Sequence, residues 1–75
     1  MKKFEYEIVE PIATLSENNG YTVELNLISF NGAEPKIDIR RWDKRNGATQ
    51  MLKGVALTVE EAQALKNNLV RYFGE

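Results

Sequence analysis

Asn-Gly occurs three times, as Asn19-Gly20, Asn31-Gly32 and Asn46-Gly47, and each pair stands between runs of β-type residues. Asn and Gly tolerate the positive φ that the tightest hairpin turns require, so Asn-Gly in this setting is the strongest local hairpin signal. Three turns imply four antiparallel strands in sequence order. The first covers about residues 3–15, with Phe4, Tyr6 and Ile8 on one parity. Pro11 interrupts it, and a strand tolerates proline only at an edge or a bulge. The second covers about residues 21–30, where Tyr21, Val23, Leu25 and Leu27 alternate with Thr22, Glu24 and Asn26. The third covers about 36–43, with Ile37 and Ile39 on one face. The fourth covers about 50–57, with Val55 and Leu57 in step.

The period then changes. Thr58-Val59-Glu60-Glu61 has the form of a capping box, in which the threonine hydroxyl caps a helix and the glutamate reaches back. The helix is expected over about 59–73, stopping at Gly74. Val59, Ala62, Leu65, Leu69, Val70, Tyr72 and Phe73 cover an arc of roughly 160°, wider than the roughly 100° needed to cover one sheet. The surplus points to a second buried surface. The chain has only 75 residues and no Cys. A domain of this size buries only about 60% of its unfolded surface. Neither a disulfide nor a thiolate metal site is available to staple it, so self-association is the simplest remaining device. The expected architecture is α+β: one domain, residues 1–75, with a four-stranded antiparallel meander and a C-terminal helix, dimerising through the helix and a sheet edge.

Composition removes whole classes of function. With no His and no Cys, there is no imidazole base, no Ser-His triad, no thiol nucleophile and no imidazole or thiolate metal site. The carboxylates form no Asp-x-Asp-x-Asp loop and the glycines no phosphate-cradling motif. We therefore expect no catalytic residues, no metal and no cofactor. Met1-Lys2-Lys3 is followed by Phe4-Glu5-Tyr6-Glu7 rather than an apolar run, and the longest apolar stretch is Val55-Ala56-Leu57. A cytoplasmic protein without a membrane partner is the expectation.

Because strand side chains alternate faces, the parity opposite the expected helix-facing one can be written out. It holds Thr22, Glu24, Asn26, Ile28 and Phe30 on the second strand, and Lys36, Asp38, Arg40 and Trp42 on the third. Glu5 and Glu7 are expected to share this outward face. Lys53 shares the parity of Val55 and Leu57, but a bulge at Gly54 would change its face. Aromatics interleaved with cations suit unpaired nucleic acid, because bases stack on flat rings while Lys and Arg neutralise phosphates. The same residues also suit a core edge or a protein interface. Residues 26–57 carry a net charge of +3 and the rest of the chain −4, so a basic segment sits in an acidic whole. Asp38, between Lys36 and Arg40, is expected to orient Arg40 through a charge-assisted bond.

The run Phe30-Asn31-Gly32-Ala33-Glu34-Pro35-Lys36-Ile37-Asp38-Ile39-Arg40-Arg41-Trp42, followed by Lys53-Gly54-Val55-Ala56-Leu57-Thr58, resembles the positive-cofactor-four family. These are transcriptional coactivators that bind single-stranded DNA, and the likeness is to the bacterial single-domain branch over roughly residues 21–70. The resemblance implies a curved sheet whose groove holds single strands, and a homodimer with helices at the interface, here Leu65, Leu69, Tyr72 and Phe73. It implies nucleic-acid contacts from Phe30, Arg40, Trp42 and Lys53, with Lys36, Lys44 and Arg45 as further candidates. On this reading Trp42→Ala weakens binding without unfolding the protein. The function expected is largely sequence-independent single-stranded-DNA binding in transcription, replication or repair. RNA is a second candidate ligand, since stacking does not read the sugar. Transcription or replication proteins are candidate partners. The competing reading is a protein-interaction module that uses an exposed aromatic sheet face.

Overall fold

The computed structural model describes residues 4–74. Four strands, β1 (Tyr6–Asn18), β2 (Tyr21–Phe30), β3 (Lys36–Asp43) and β4 (Gln50–Leu57), precede one helix, α1 (Val59–Phe73). The strands form a single antiparallel sheet in the order β1-β2-β3-β4, the expected meander. The expected first strand differs most. It runs on to Asn18, and residue 3 lies outside the described residues. The extension follows from the turn: Asn19 and Gly20 both take positive φ, 53° and 86°, which closes a two-residue hairpin. Such a turn requires pairing right up to it, and Asn18 pairs with Tyr21. Asn31 and Gly32 repeat the left-handed pair, whereas Asn46-Gly47 has only its glycine there and sits in a longer connection.

β1 is an edge strand with three register shifts, between Ile8 and Glu10, Pro11 and Ala13, and Thr14 and Ser16. The extra residues are Val9, Ile12 and Leu15. Each bulge moves the following pairs by one residue, and a one-residue slip sends side chains to the other face. At the turn, Asn18 stands opposite Tyr21; three bulges away, Tyr6 stands opposite Phe30 and Ile8 opposite Ile28. An odd number of bulges therefore carries Tyr6 and Ile8 onto the face of Phe30 and Arg40. Glu5 and Glu7, expected there, belong to the opposite parity. Pro11 pairs with Asn26 on this edge strand, where a missing amide is tolerated.

The sheet is curled towards the face that carries Phe30. Tyr6 pairs at the Phe30 end of β2, and Trp42 pairs with Thr22 at the other end. Eight residues of flat strand would separate them by about 26 Å. Their rings nevertheless meet with centroids 5.7 Å apart. The concave side so formed holds the core: Ile28 and Trp42, with Thr22, Asn26 and Asp38 buried beside them.

The helix starts and stops as its sequence dictates. Thr58 Oγ1 accepts from the Glu61 amide at 3.1 Å and the Thr58 amide donates to Glu61 Oε1 at 2.9 Å. Gly74, at φ 79°, ends it by donating to the Val70 carbonyl. The helix does not cover the sheet, contrary to the expectation that the apolar strand parity faces it. It meets the sheet only at β3 and β4, and none of its residues is buried. The apolar parity of Val23, Leu25, Leu27, Ile37 and Ile39 is only half-buried. Val55, Leu65, Leu69, Tyr72 and Phe73 are exposed.

Candidate nucleic-acid interface

Phe30, Arg40 and Trp42 come together on the concave side, each from a cause visible in the chain. Phe30 is the last residue of β2, held against the Asn31-Gly32 turn. Arg40 lies opposite Gly54 on β4. A methyl group on Gly54 would fall 2.7 Å from Arg40 Cα and from the Ile39 carbonyl oxygen, and closer still to Arg40 Cβ. Only glycine lets β4 pass this near to β3. Beside it, Arg41 stands where β4 has both Leu52 and Lys53, a bulge one residue before Gly54. That bulge puts Val55 and Leu57 opposite Ile39 and Ile37 on the apolar face.

Arg40 is anchored as its spacing from Asp38 predicts. Its Nε donates to Asp38 Oδ2 at 2.8 Å, its Nη2 to Asp38 Oδ1 at 2.7 Å, and its Nη1 to the Leu52 carbonyl at 3.0 Å. The Asp38 bonds push the Arg40 guanidinium above its ordinary pKa against the opposing effect of burial. Its Cζ lies over the Phe30 ring, 5.6 Å from the centroid, within cation–π range. Asp38 is fully buried, so the pair is a fixed, internally neutral unit with the outer edge of Arg40 at the surface.

Trp42 departs from its expected role. It is 1% exposed, with Tyr6 against its ring. A ring this covered has no free face for a base, so Trp42 forms the floor of the cluster. Its Nε1 is buried without a hydrogen-bond partner among the described residues. The rings that do reach the surface are Phe30, Tyr6 and Phe4, whose centroid lies 6.3 Å from that of Phe30 and 6.5 Å from that of Tyr6. Phe4 and Tyr6 were not among the expected site residues. The signal for them was present in their parity, but it led to the wrong face because the three bulges could not be counted in advance.

The remaining cations divide. Lys36 is exposed on the aromatic face, at the position opposite Ile28. Lys44 Nζ bonds Glu24 Oε2 at 2.6 Å. Burial raises the Glu24 carboxyl, but hydrogen bonds from Lys44 and Thr22, with the Lys44 charge, outweigh it and hold the group below its ordinary pKa. Arg45 bonds both Asp43 oxygens at 3.0 Å and lies over the Tyr21 ring at 4.6 Å. Those side-chain bonds hold Asp43 below the usual carboxylate range. Lys44 and Arg45 are thus engaged within the chain, at the end of the sheet away from Phe30. Lys53 is exposed at the β4 bulge, on the rim of an open hollow of about 770 Å³ with Arg40, Arg41, Val23, Ile39 and Leu52.

An aromatic cluster crossed by an anchored arginine, on an open sheet followed by one helix, is set in a sequence that matches a known family model. Residues 18–68 match the model for transcriptional coactivator p15 (PC4). The chain belongs to this family. An uncharacterized protein of Treponema pallidum (strain Nichols) is 43% identical over 67 residues, covering 88% of this chain and 76% of that relative. The family match spans β2, β3, β4 and most of α1, so it contains Phe30, Arg40, Trp42 and Lys53 but leaves out most of β1. Nucleic-acid binding connected with transcription is the functional class that membership supports. No helix of the described residues is long and apolar enough to cross a membrane.

Proposed function

We propose that the protein binds single-stranded DNA with little sequence preference, through base stacking on the exposed aromatic rings and phosphate neutralisation by the cations around them, in the service of transcription regulation. The observation that carries this reading is the placement of Arg40 over Phe30 beside further exposed rings. A rigid aromatic surface with an exposed cation on the same face, here Lys36, is what unpaired bases and their phosphates require. Duplex DNA hides its base faces and gains only the electrostatic part. Replication or repair would use the same surface, and proteins of these processes or of transcription are its candidate partners. The curled sheet is filled by its own side chains, so the strand lies across the aromatic rim rather than inside the concavity.

The working unit is proposed to be a homodimer. Among the described residues the apolar sheet face is only half-buried, no residue of α1 is buried, and Tyr72 is 81% exposed. Leu65, Leu69, Tyr72 and Phe73, together with the apolar face of β3 and β4, supply the contact to a second copy. Leu69→Asp should therefore convert a dimer into a monomer in sedimentation velocity. A wild-type chain that sediments as a monomer at high concentration would remove this element.

Binding is tested by fluorescence anisotropy of a labelled oligo-dT of about 20 nucleotides and of the matching duplex, over a salt series. Preferential single-strand binding that weakens with salt is the expected result. Lys36→Ala should make the salt slope shallower by about 0.7, one phosphate contact on a single strand. An unchanged slope would mean Lys36 touches no phosphate. Failure of the wild type to bind single strands at low salt would sink the proposal and favour the aromatic face as a protein-binding surface.

A further inference from the structure

The N-terminal end of the described chain is fastened to the aromatic cluster although it precedes β1. The Glu5 amide donates to Asn31 Oδ1 at 2.8 Å, and the Asn31 amide donates back to the Glu5 carbonyl at 2.8 Å. The backbone bond continues the β1–β2 ladder one position beyond the Tyr6–Phe30 pair, and the side-chain bond comes from Asn31 in the left-handed conformation of its turn, φ 53°. The two clasped residues stand 26 positions apart in the sequence. The consequence of the clasp is the position of Phe4, which lies against Phe30 yet remains 60% exposed. A phenylalanine wanted only for packing would be drawn into the cluster, as Trp42 is. Here the chain spends two hydrogen bonds on holding a ring at the surface, next to a ring that carries Arg40.

We infer that Phe4 is a further base-stacking residue, extending the Phe30 surface by one ring, and that Asn31 is the positioning residue that holds it there. The inference rests on the single-stranded-DNA reading and deepens it. It also gives the Asn31-Gly32 turn a second role. Besides reversing the chain, the turn carries the side chain that ties the first segment to the ligand surface. Phe4 has no charge, so its contribution adds affinity without adding counterion release.

Four proteins decide the matter in the oligo-dT assay: wild type, Phe4→Ala, Asn31→Gly and the double variant. Glycine at 31 keeps the left-handed turn and removes only the Oδ1 acceptor. Phe4→Ala should weaken binding about 5–150-fold, the range for losing one stacked base. Its salt slope and thermal midpoint should match the wild type, and Phe4→Tyr should restore affinity. Asn31→Gly should weaken binding in the same direction, and the double variant should be no weaker than Phe4→Ala, because Asn31 acts through Phe4. Wild-type binding with an unaffected Phe4→Ala variant would overturn the inference and leave the single-strand reading standing. So would a loss of affinity that tracks a lowered midpoint. Additive losses would overturn the role of Asn31. A wild type that binds no single strand would overturn the inference and the reading together.

Discussion

Trp42→Ala should cost the fold about 3–5 kcal/mol, the range for emptying a buried aromatic site. A domain of this length has about 4–11 kcal/mol of stability in total, so the variant should lose a large part of it and unfold at a much lower denaturant concentration. The reason is geometric. Trp42 is the largest buried side chain, and the curl of the sheet closes around it, with Tyr6 reaching across from the far end. Without the indole, the two ends of the sheet have nothing to meet on. The measurement is chemical denaturation followed by far-UV circular dichroism, since the variant lacks the sole tryptophan. An unfolding midpoint close to wild type, accompanied by lost oligonucleotide binding, would return Trp42 to the surface role that its strand parity alone suggests. Trp42→Phe should keep the fold at a smaller cost.

The second large effect is expected at Gly54. A Cβ there collides with Arg40 and with the Ile39 backbone, so Gly54→Ala must either part β3 from β4 or expel the Arg40 side chain. Overpacking of this kind costs about 1–3 kcal/mol, and more where backbone must move. Arg40 is also tied to the Leu52 carbonyl and to buried Asp38, so displacing it leaves a buried carboxylate without its partner. That loss is among the more costly a small fold can suffer. Gly54→Ala should therefore lower the unfolding midpoint and weaken oligonucleotide binding together. Gly47→Ala, where a methyl group meets nothing within 4 Å, strains only its own left-handed backbone and should leave binding intact. A Gly54→Ala protein with wild-type stability and affinity would show that the close approach of the two strands is not required.

The strand count, the meander order and the helix with both its caps were legible because each has a local cause. Asn-Gly pairs reverse the chain, period-two alternation marks β2 and β3, and the Thr58–Glu61 box starts α1. The bond between Asp38 and Arg40 was legible for the same reason, since residues two apart on a strand share a face. What stayed hidden depends on bulges and curvature. Val9, Ile12 and Leu15 look like ordinary strand residues, yet as bulges they flip Tyr6 to the other face and bring Phe4 to Phe30. The curl they help to produce turns an outward parity into a concave core, which is why Trp42 and Asp38 are covered while Val55 is not. Ion pairing hid the rest: Lys44 and Arg45 read as candidate nucleic-acid contacts, but Glu24 and Asp43 hold them.

The most direct test of the account is which face of the sheet meets the DNA. Amide and side-chain chemical shifts of the isotope-labelled protein, followed by NMR as oligo-dT is added, would read this residue by residue. The account predicts shifts at Tyr6, Phe30 and Lys36, with Val23, Ile39 and Val55 on the opposite face undisturbed. Shifts concentrated on Val23, Ile39, Val55 and the hollow beside Arg41 and Lys53 would contradict it, and would place the ligand on the apolar face assigned here to a second copy of the chain.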